Sequence, residues 1–273
     1  MRADDVEQVA NVAAAAFGRD VGDELARRRW RERLAHPLTT DPDGAFVAEL
    51  DGRVIGVAEA IVRERLWILS MFAVEPGIQS GGAGRALLEH AVDYGRETDA
   101  GLIVSSNDPR ALRLYARAGF ALLPTFRADG VVDRRALPRG HSGVREDGRG
   151  DDLESLVALA RAIRGAPYTS ELRYALDRGG RLLRLDDRGF AVVDEEGTPW
   201  LLVARDEEAA SALLWSALAV ADGSTRVRWI TGAQQWAIDA LVQARLHVLA
   251  YGALCVRGTP GTLEPFVPSA PFA

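Results

Sequence analysis

The stretch of sequence that decides the fold reads LWILSMFAVEP at residues 66–76, GIQSGGAGRALLEHAVDYG at 77–95 and GLIVSSNDPRALRLYARAGF at 101–120. The first segment is apolar and typical of a strand, and Pro76 ends it. The second segment places Gln79, Gly82 and Gly84 in a Q-x-x-G-x-G spacing, and residues 85–94 then follow the apolar period of a helix. The sequence therefore predicts a strand, a glycine-rich turn and a helix in direct succession.

A turn of this kind is suited to binding an anion. Glycines lack a Cβ atom and let the backbone approach a ligand closely. The free N–H groups of the first helical turn point towards that ligand, with the positive end of the helix dipole behind them. A pyrophosphate group fits this arrangement.

The six-residue pattern alone has low specificity, because [RQ]-x-x-G-x-[GA] is expected roughly once by chance in a chain of this composition. It also occurs at Arg53 and at Arg145. The match at Arg53 lies inside an apolar, strand-like run, and the match at Arg145 is followed by Asp151 and Asp152, whose carboxylates repel a phosphate. The run at Gln79 is distinguished by a strand before it, a helix after it and no acidic residue in the turn.

On these segments the chain resembles the GCN5-related N-acetyltransferases (GNAT). The family signature N-x-x-A-x-x-L-Y-x-x-x-G-F is matched, with one extra residue after the asparagine, by Asn107, Ala111, Leu114, Tyr115, Gly119 and Phe120. Two segments in the right order and at the right separation are more specific than either alone. The resemblance implies an α/β architecture with a mixed sheet, the acyl-CoA N-acyltransferase fold, for residues 1–138.

The resemblance also implies acetyl-coenzyme A (acetyl-CoA) as cosubstrate, bound where two central parallel strands splay apart. Backbone groups of Phe72, Ala73 and Val74 would pair with the pantetheine amides, although plain core burial also explains these apolar residues. The residues that would hold the pyrophosphate are those of the turn: Gln79, Ser80, Gly81, Gly82, Ala83, Gly84 and Arg85. Asn107 would lie beside the pantetheine arm.

Tyr115 is the candidate general acid, because its hydroxyl can protonate the departing coenzyme A thiolate. Core packing is the alternative for a tyrosine on a helix. The base is less defined, since the position where several relatives carry a strand glutamate is Ile68 here. Glu59 on the preceding strand is the preferred candidate, against Ser70 acting through water or deprotonation by bulk solvent. The alternative for Glu59 itself is a solvated strand face.

The order of elements predicted for residues 1–138 recurs in residues 139–273, so the second half resembles a degenerate copy of the same fold in a tandem arrangement. The first half is predicted to have helices at 5–17, 23–35, 85–94 and 109–118, strands at 45–50, 53–63, 66–74 and 102–105, and a closing pair of strands around 120–132. The second half is predicted to have helices at 151–164, 170–178, 206–218 and 233–245 and strands at 181–185, 190–194, 200–204, 226–230 and 253–257. Where the first half has its glycines, the second has Asp206, Glu207 and Glu208, which suit a helix N-terminus but repel a pyrophosphate. The second domain is therefore predicted to bind no coenzyme A.

Composition restricts the class of function. A chain of 273 residues that is 48% hydrophobic is globular. Its net charge is −6 and is spread over both halves, so no basic face indicates binding to nucleic acid. A single cysteine, Cys255, forbids an internal disulfide bond and suits a reducing cytoplasm. No long uncharged span indicates secretion or a membrane. The four histidines lack ligand spacing, so no metal site is expected.

Three further features carry expectations. The chain runs almost directly into its first helix, without the short strand that usually opens a GNAT domain, so either that strand is missing or the natural start lies upstream.

The second helix contains Arg27, Arg28, Arg29, Arg31 and Arg33. These arginines allow a solvated face, which is preferred, or a pocket for an anionic acceptor. The apolar, proline-rich tail EPFVPSAPFA at residues 264–273 is predicted to dock on protein surface.

Two functions remain at this stage. The first is an N-acetyltransferase in which a primary amine attacks acetyl-CoA directly in a ternary complex, the acceptor being a small-molecule amine or a protein N-terminus. The second is a non-catalytic module that binds acyl-CoA or a partner. The presence of Tyr115 favours the N-acetyltransferase. The absence of the strand glutamate is compatible with the non-catalytic module. The acceptor and the oligomeric state are not specified by the sequence.

Overall fold

The computed structural model describes the chain except for residues 21, 79–80, 140–142, 148–152 and 195–196 and the side chain of residue 155. The described chain divides into two compact units, Met1–Ile103 with Pro271–Ala273, and Val104–Ala270. The division into domains after residue 138 stays a prediction, because a compact unit and a repeated fold are different partitions of a chain.

The first unit is a sheet with helices on it. Its elements are α1 (Val6–Phe17), α2 (Glu24–Thr40), β1 (Ala45–Leu50), β2 (Arg53–Arg63), β3 (Leu66–Val74), α3 (Ala83–Tyr94) and the beginning of β4 (Ala100–Ser105). Strands β1, β2 and β3 pair antiparallel in that order, and β3 pairs with β4 in parallel. The predicted strand, turn and helix around the glycines are confirmed by β3 and α3.

Helices α1 and α2 cover one face of this sheet. Trp30 and Leu34 of α2 are buried in a cluster with Val57 and Met71 of the sheet. The Trp30 indole N–H donates to the carbonyl of Ala10 at 3.1 Å, which fixes the two helices to each other. Burial of this apolar layer stabilises the unit.

The second unit contains two groups of strands. Its elements are α4 (Pro109–Arg117), β5 (Ala121–Val131), β6 (Arg145–Asp147), α5 (Glu154–Arg164), α6 (Thr169–Asp177), β7 (Arg181–Leu185), β8 (Gly189–Val193), β9 (Pro199–Ala204), α7 (Glu207–Val220), β10 (Ser224–Thr231), α8 (Gln235–Gln243), β11 (His247–Gly258) and β12 (Phe266–Val267). One group is a sheet in the order β12-β9-β8-β7-β6. In the other, β5 pairs antiparallel with β11 on one side and with β10 on the other.

One expectation about these strands was wrong. The closing pair predicted around residues 120–132 is the single strand β5, which is 11 residues long. Strands β10 and β11 pair with β5 on its two sides and do not belong to the sheet that contains β7, β8 and β9. The alternation of side chains shows that a strand exists, but the choice of partner depends on residues about a hundred positions away.

The C-terminal tail is packed against protein, as predicted. Phe266 and Val267 form β12, pair with β9 and are buried. Phe272 is also buried, and its ring meets the imidazole of His36 edge-on at 5.6 Å. Within the described chain, no helix has both the length and the apolar character that crossing a membrane requires.

Candidate functional site

Strand β3 leaves its parallel partner part-way along its length. The described pairing with β4 runs from Leu66 opposite Ala100 to Ile68 opposite Leu102. On its other side β3 contains a bulge, since Glu59 of β2 faces Met71 and the next residue faces Leu69, which leaves Ser70 as the extra residue. Bulges bend a strand and redirect its side chains. Phe72, Ala73 and Val74 follow the bulge, beyond the described pairing with β4.

The turn after β3 leads to a helix N-terminus without acidic groups. Gln79 and Ser80 lie outside the described residues. Gly82 is the N-cap of α3 in the left-handed region, with φ of 86°, and offers no side chain to the first turn. Such a φ strains most L residues, and an added Cβ at Gly82 would meet no atom of the described residues within 4 Å. A helix N-terminus with no side-chain cap and no acidic residue in its first turn is suited to accept a phosphate oxygen.

Four further residues of this segment belong to the described chain. Gly84 is buried in the first turn of α3, while Ala83 begins the helix. The guanidinium of Arg85 is exposed and pairs with Glu89 one turn later at 2.7 Å. Both Gly81 and Gly82 leave room for a ligand, since a Cβ at Gly81 would come no closer than 3.5 Å to the Ile78 carbonyl oxygen.

At the N-terminus of α7, by contrast, charged side chains of the chain itself already occupy the first turn. Asp206 is the N-cap of α7 and accepts a hydrogen bond from the Ala209 N–H at 2.9 Å. Arg188 bridges the carboxylates of Asp206, at 2.7 Å, and Glu208, at 3.0 Å. The backbone bond and Arg188 hold the pKa of Asp206 below its usual range, so this terminus carries fixed negative charge.

Glu59 is completely buried. The alternative of a solvated strand face is therefore wrong. The Glu59 Oε2 accepts from Nη1 of Arg33 at 3.1 Å, and Nη2 of the same guanidinium donates to the carbonyl of Ser70 at 2.5 Å. Nη2 also lies 3.3 Å from the Ser70 hydroxyl. Among the described residues, Oε1 of Glu59 has no hydrogen-bond partner. The structure thus brings together both side chains considered as the base.

Burial determines the proton affinity of Glu59. Desolvation raises the pKa of the carboxyl to about 7, and Arg33 opposes that rise through its charge and its hydrogen bond. A carboxyl with a pKa near neutrality exchanges a proton readily at physiological pH, which is the property that a general base requires.

Tyr115 lies in the second unit and is 4% exposed. Burial raises the pKa of its phenol far above the ordinary value, and Cys255 and Asp108 raise it further. The hydroxyl therefore keeps its proton throughout the physiological range, as a general acid must. Asp108 caps the helix on which Tyr115 lies by accepting from the Arg110 N–H at 2.8 Å.

The side chain of Asn107 forms a hydrogen bond within the protein. Its Oδ1 accepts from the N–H of Gly252 at 2.6 Å. Gly252 has φ of 65° and lies where β11 bulges between Ala250 and Ala253. The side chain of Asn107 thus fixes the strand contributed by the C-terminal half.

Sequence reasoning missed the role of Arg33. The sequence predicts one solvated face for all the arginines of α2. Three of them do pair with acidic groups on the surface: Arg27 with Glu24, Arg28 with Glu32, and Arg31 with Glu7 and Glu24. The side chain of Arg33, by contrast, is only 15% exposed. The available signal was its position between the buried residues Trp30 and Leu34, three residues after one and one before the other.

Residues 6–120 match the model of the acetyltransferase (GNAT) family. The match is to a GNAT domain and covers less than half of the chain. The matched residues include the strand β3, the glycine turn, Asn107 and Tyr115, so the resemblance of the motifs is confirmed at the level of the family. Among the described side chains, no group of three or more His, Cys, Asp or Glu residues is arranged to hold a metal ion.

Curated proteins similar to this chain include mycothiol acetyltransferases. That of Streptomyces avermitilis is 37% identical over 117 residues, which is 41% of this chain and 37% of that enzyme. The match therefore spans well under half the length of the relative.

Solved structures extend the likeness to the whole chain. A protein of Pyrococcus horikoshii provisionally named an acetyltransferase superposes with a TM-score of 0.83 at 17% identity, covering 100% of this chain and 94% of that one. A tandem GNAT protein from the clavulanic acid biosynthesis pathway gives a TM-score of 0.59 at 14% identity over 94% of this chain and 97% of its own. At these identities the likeness concerns the fold, and the chain has the mixed α/β fold of these proteins.

Proposed function

We propose that this protein is an N-acetyltransferase that transfers an acetyl group from acetyl-CoA to a primary amine. The observation that carries the proposal is the end of the described β3–β4 pairing at Ile68, just before the Ser70 bulge, followed by an α3 N-terminus that is capped by glycine and has no acidic residue in its first turn. The fully buried Glu59 beside that bulge favours catalysis over coenzyme binding alone.

The residues of β3 and α3 fit a coenzyme A molecule. Phe72, Ala73 and Val74 would present backbone groups to the pantetheine arm. The turn from Gln79 to Arg85 would hold the pyrophosphate, because its glycines leave space and the first-turn N–H groups of α3 attract negative charge. Asn107 would lie beside the pantetheine arm, as the family motif implies. Bound acetyl-CoA would supply an acetyl group activated as a thioester.

Glu59 would act as the general base and Tyr115 as the general acid. The Glu59 carboxylate accepts a proton from the ammonium group of the acceptor, which frees the nitrogen lone pair for attack on the thioester carbonyl. The Tyr115 hydroxyl donates a proton to the coenzyme A sulfur as the carbon–sulfur bond breaks. The pKa of about 7 for Glu59 supports the first role, and the position of Tyr115 in the family motif supports the second.

The second half would act without a coenzyme of its own. Residues 1–138 would contain the acetyl-CoA site, and residues 139–273 would be the degenerate copy, since Asp206, Glu208 and Arg188 already occupy the start of α7. A small-molecule amine in the cytoplasm is the acceptor class that we favour, because relatives of the chain are mycothiol acetyltransferases.

A thiol-release assay tests the proposal. Purified protein is incubated with acetyl-CoA and a panel of primary amines that includes the acceptor of the mycothiol acetyltransferases and a peptide N-terminus. We expect release with a small-molecule amine and a loss of roughly 100-fold in Glu59→Gln at neutral pH. Glu49→Gln, an exposed glutamate on β1, is the matched control and should behave as wild type. No release with any amine, despite coenzyme binding, would favour the non-catalytic module.

A further inference from the structure

The bulge in β3 is held by a side chain from another element. Arg33 of α2 donates Nη1 to Glu59 and Nη2 to the carbonyl of Ser70, the extra residue of the bulge. One guanidinium therefore bonds the candidate base and the backbone of the bulge, which lies two residues after Ile68, the last residue of β3 in the described pairing with β4. The planar fork of arginine makes two such bonds at once, which a lysine ammonium does not reproduce in the same geometry.

We infer that Arg33 is a positioning residue, which fixes the Glu59 carboxylate through Oε2 and so leaves Oε1 as the oxygen that takes the proton from the acceptor. This inference rests on the proposed function of Glu59. The two oxygens differ in the structure: Oε2 accepts from Arg33 at 3.1 Å, whereas Oε1 is buried without a hydrogen-bond partner among the described residues. A buried polar atom left unbonded is costly, and a catalytic role is one of the reasons for which a protein retains such an atom.

The place of Arg33 in α2 keeps its side chain directed at the sheet. Trp30 and Leu34, three residues before and one after, are buried in the core of the first unit. The guanidinium lies 5.9 Å from the centre of the Trp30 ring. These contacts limit the conformations open to Arg33, so the carboxylate that it binds is held with the precision that proton transfer needs.

Arg33 is also the charged group that faces Glu59 among the described residues. The cross-strand neighbours of Glu59 are Ala45 on β1 and Met71 on β3, and neither carries a charge. The α1 side chains in the adjoining core are valines and alanines. Arg33 alone opposes the effect of burial on Glu59, so its removal leaves the desolvated carboxyl with no cation to stabilise the ionised form.

Arg33→Met and Arg33→Gln test the inference, because both remove the charge and the second retains hydrogen-bonding capacity. We expect the acidic limb of the pH profile of kcat/KM to move to higher pH by about one unit or more in each variant. Activity should fall at pH 7 and return towards wild type at alkaline pH. Arg33→Lys, which restores the charge without the fork, should show a smaller shift and partial recovery. Arg28→Met, an exposed arginine on the same helix, is the control and should leave the profile unchanged.

A second measurement follows Glu59 without substrate. Infrared difference spectroscopy of the protein alone detects the carbonyl band of the protonated carboxyl, which is assigned by its absence in Glu59→Gln. The band should titrate at a higher pH in the Arg33 variants than in wild type. An unchanged midpoint in a folded Arg33→Met or Arg33→Gln protein would overturn the inference while leaving the proposed base intact. Full activity of Glu59→Gln would instead overturn the proposed base, and the role of Arg33 in catalysis with it.

Discussion

Glu59 lies on an apolar strand face, fully buried, and burial raises the pKa of its carboxyl from 4.5 to about 7. A group whose pKa is higher in the folded state than in the unfolded state stabilises the fold below the unfolded pKa, and that stabilisation is lost as pH rises through the folded pKa. The window here is therefore about pH 4.5 to 7. We expect wild type to lose about 3 kcal/mol of unfolding free energy across this window because of Glu59.

Urea unfolding at pH 4.5 and at pH 8 in wild type and Glu59→Gln checks this value. The variant lacks the titrating group, so the difference between the two pH values should be smaller in it by about 3 kcal/mol, whatever its absolute stability. Glu97→Gln, an exposed glutamate, is the control and should keep the wild-type dependence. A Glu59→Gln protein with the same pH dependence as wild type would show that Glu59 does not titrate in this range.

Tyr115 combines burial with a raised pKa, which gives a clear kinetic expectation. Tyr115→Phe should lower turnover roughly 10-fold to 1000-fold and leave acetyl-CoA affinity nearly unchanged, because a general acid acts in the transition state and not in binding. Thiol release and calorimetry on the same preparation separate the two quantities. Undiminished turnover in the variant would assign Tyr115 to core packing alone.

At the scale of elements, the contrast between α3 and α7 predicts a single coenzyme site per chain. Gly82→Asp places a carboxylate at the N-cap of α3, as Asp206 does for α7, and should abolish acetyl-CoA binding through repulsion of the pyrophosphate. Gly82→Asn is the matched control, since asparagine has the same size, tolerates a positive φ and carries no charge, so it should retain most of the affinity. Calorimetry measures both. Two equivalent sites in wild type, or equal loss in both variants, would contradict the electrostatic explanation.

The local elements could be predicted from the sequence, and their partners could not. The strand, turn and helix around Gly82 follow from residues close together in the chain, so apolar period and glycine spacing were enough. The burial of Glu59 was not predictable in this way. The bulge that adds Ser70 to β3 interrupts the regular register, and the partner Arg33 comes from a helix 26 residues earlier. The pairing of β5 with β10 and β11 likewise depends on long-range contacts, which the alternation of side chains does not encode.

At the scale of the whole molecule, the two halves of the sequence share strands. Strand β5 precedes residue 138, and both of its partners, β10 and β11, follow it. Asn107, from the family motif, bonds the backbone of β11 at Gly252. A strand of residues 1–138 therefore lies between two strands of residues 139–273.

Expression of residues 1–138 alone should accordingly give an insoluble or inactive product. The fragment would expose both hydrogen-bonding edges of β5, and unpaired edges of a long strand promote association between chains. It would also leave Asn107 without Gly252. Production of residues 1–138 and 139–273 together as separate chains is the control, and we expect it to restore solubility, since the partners of β5 are then present. Soluble yield and thiol release measure the outcome. A soluble and fully active fragment of residues 1–138 would show that β10 and β11 are dispensable.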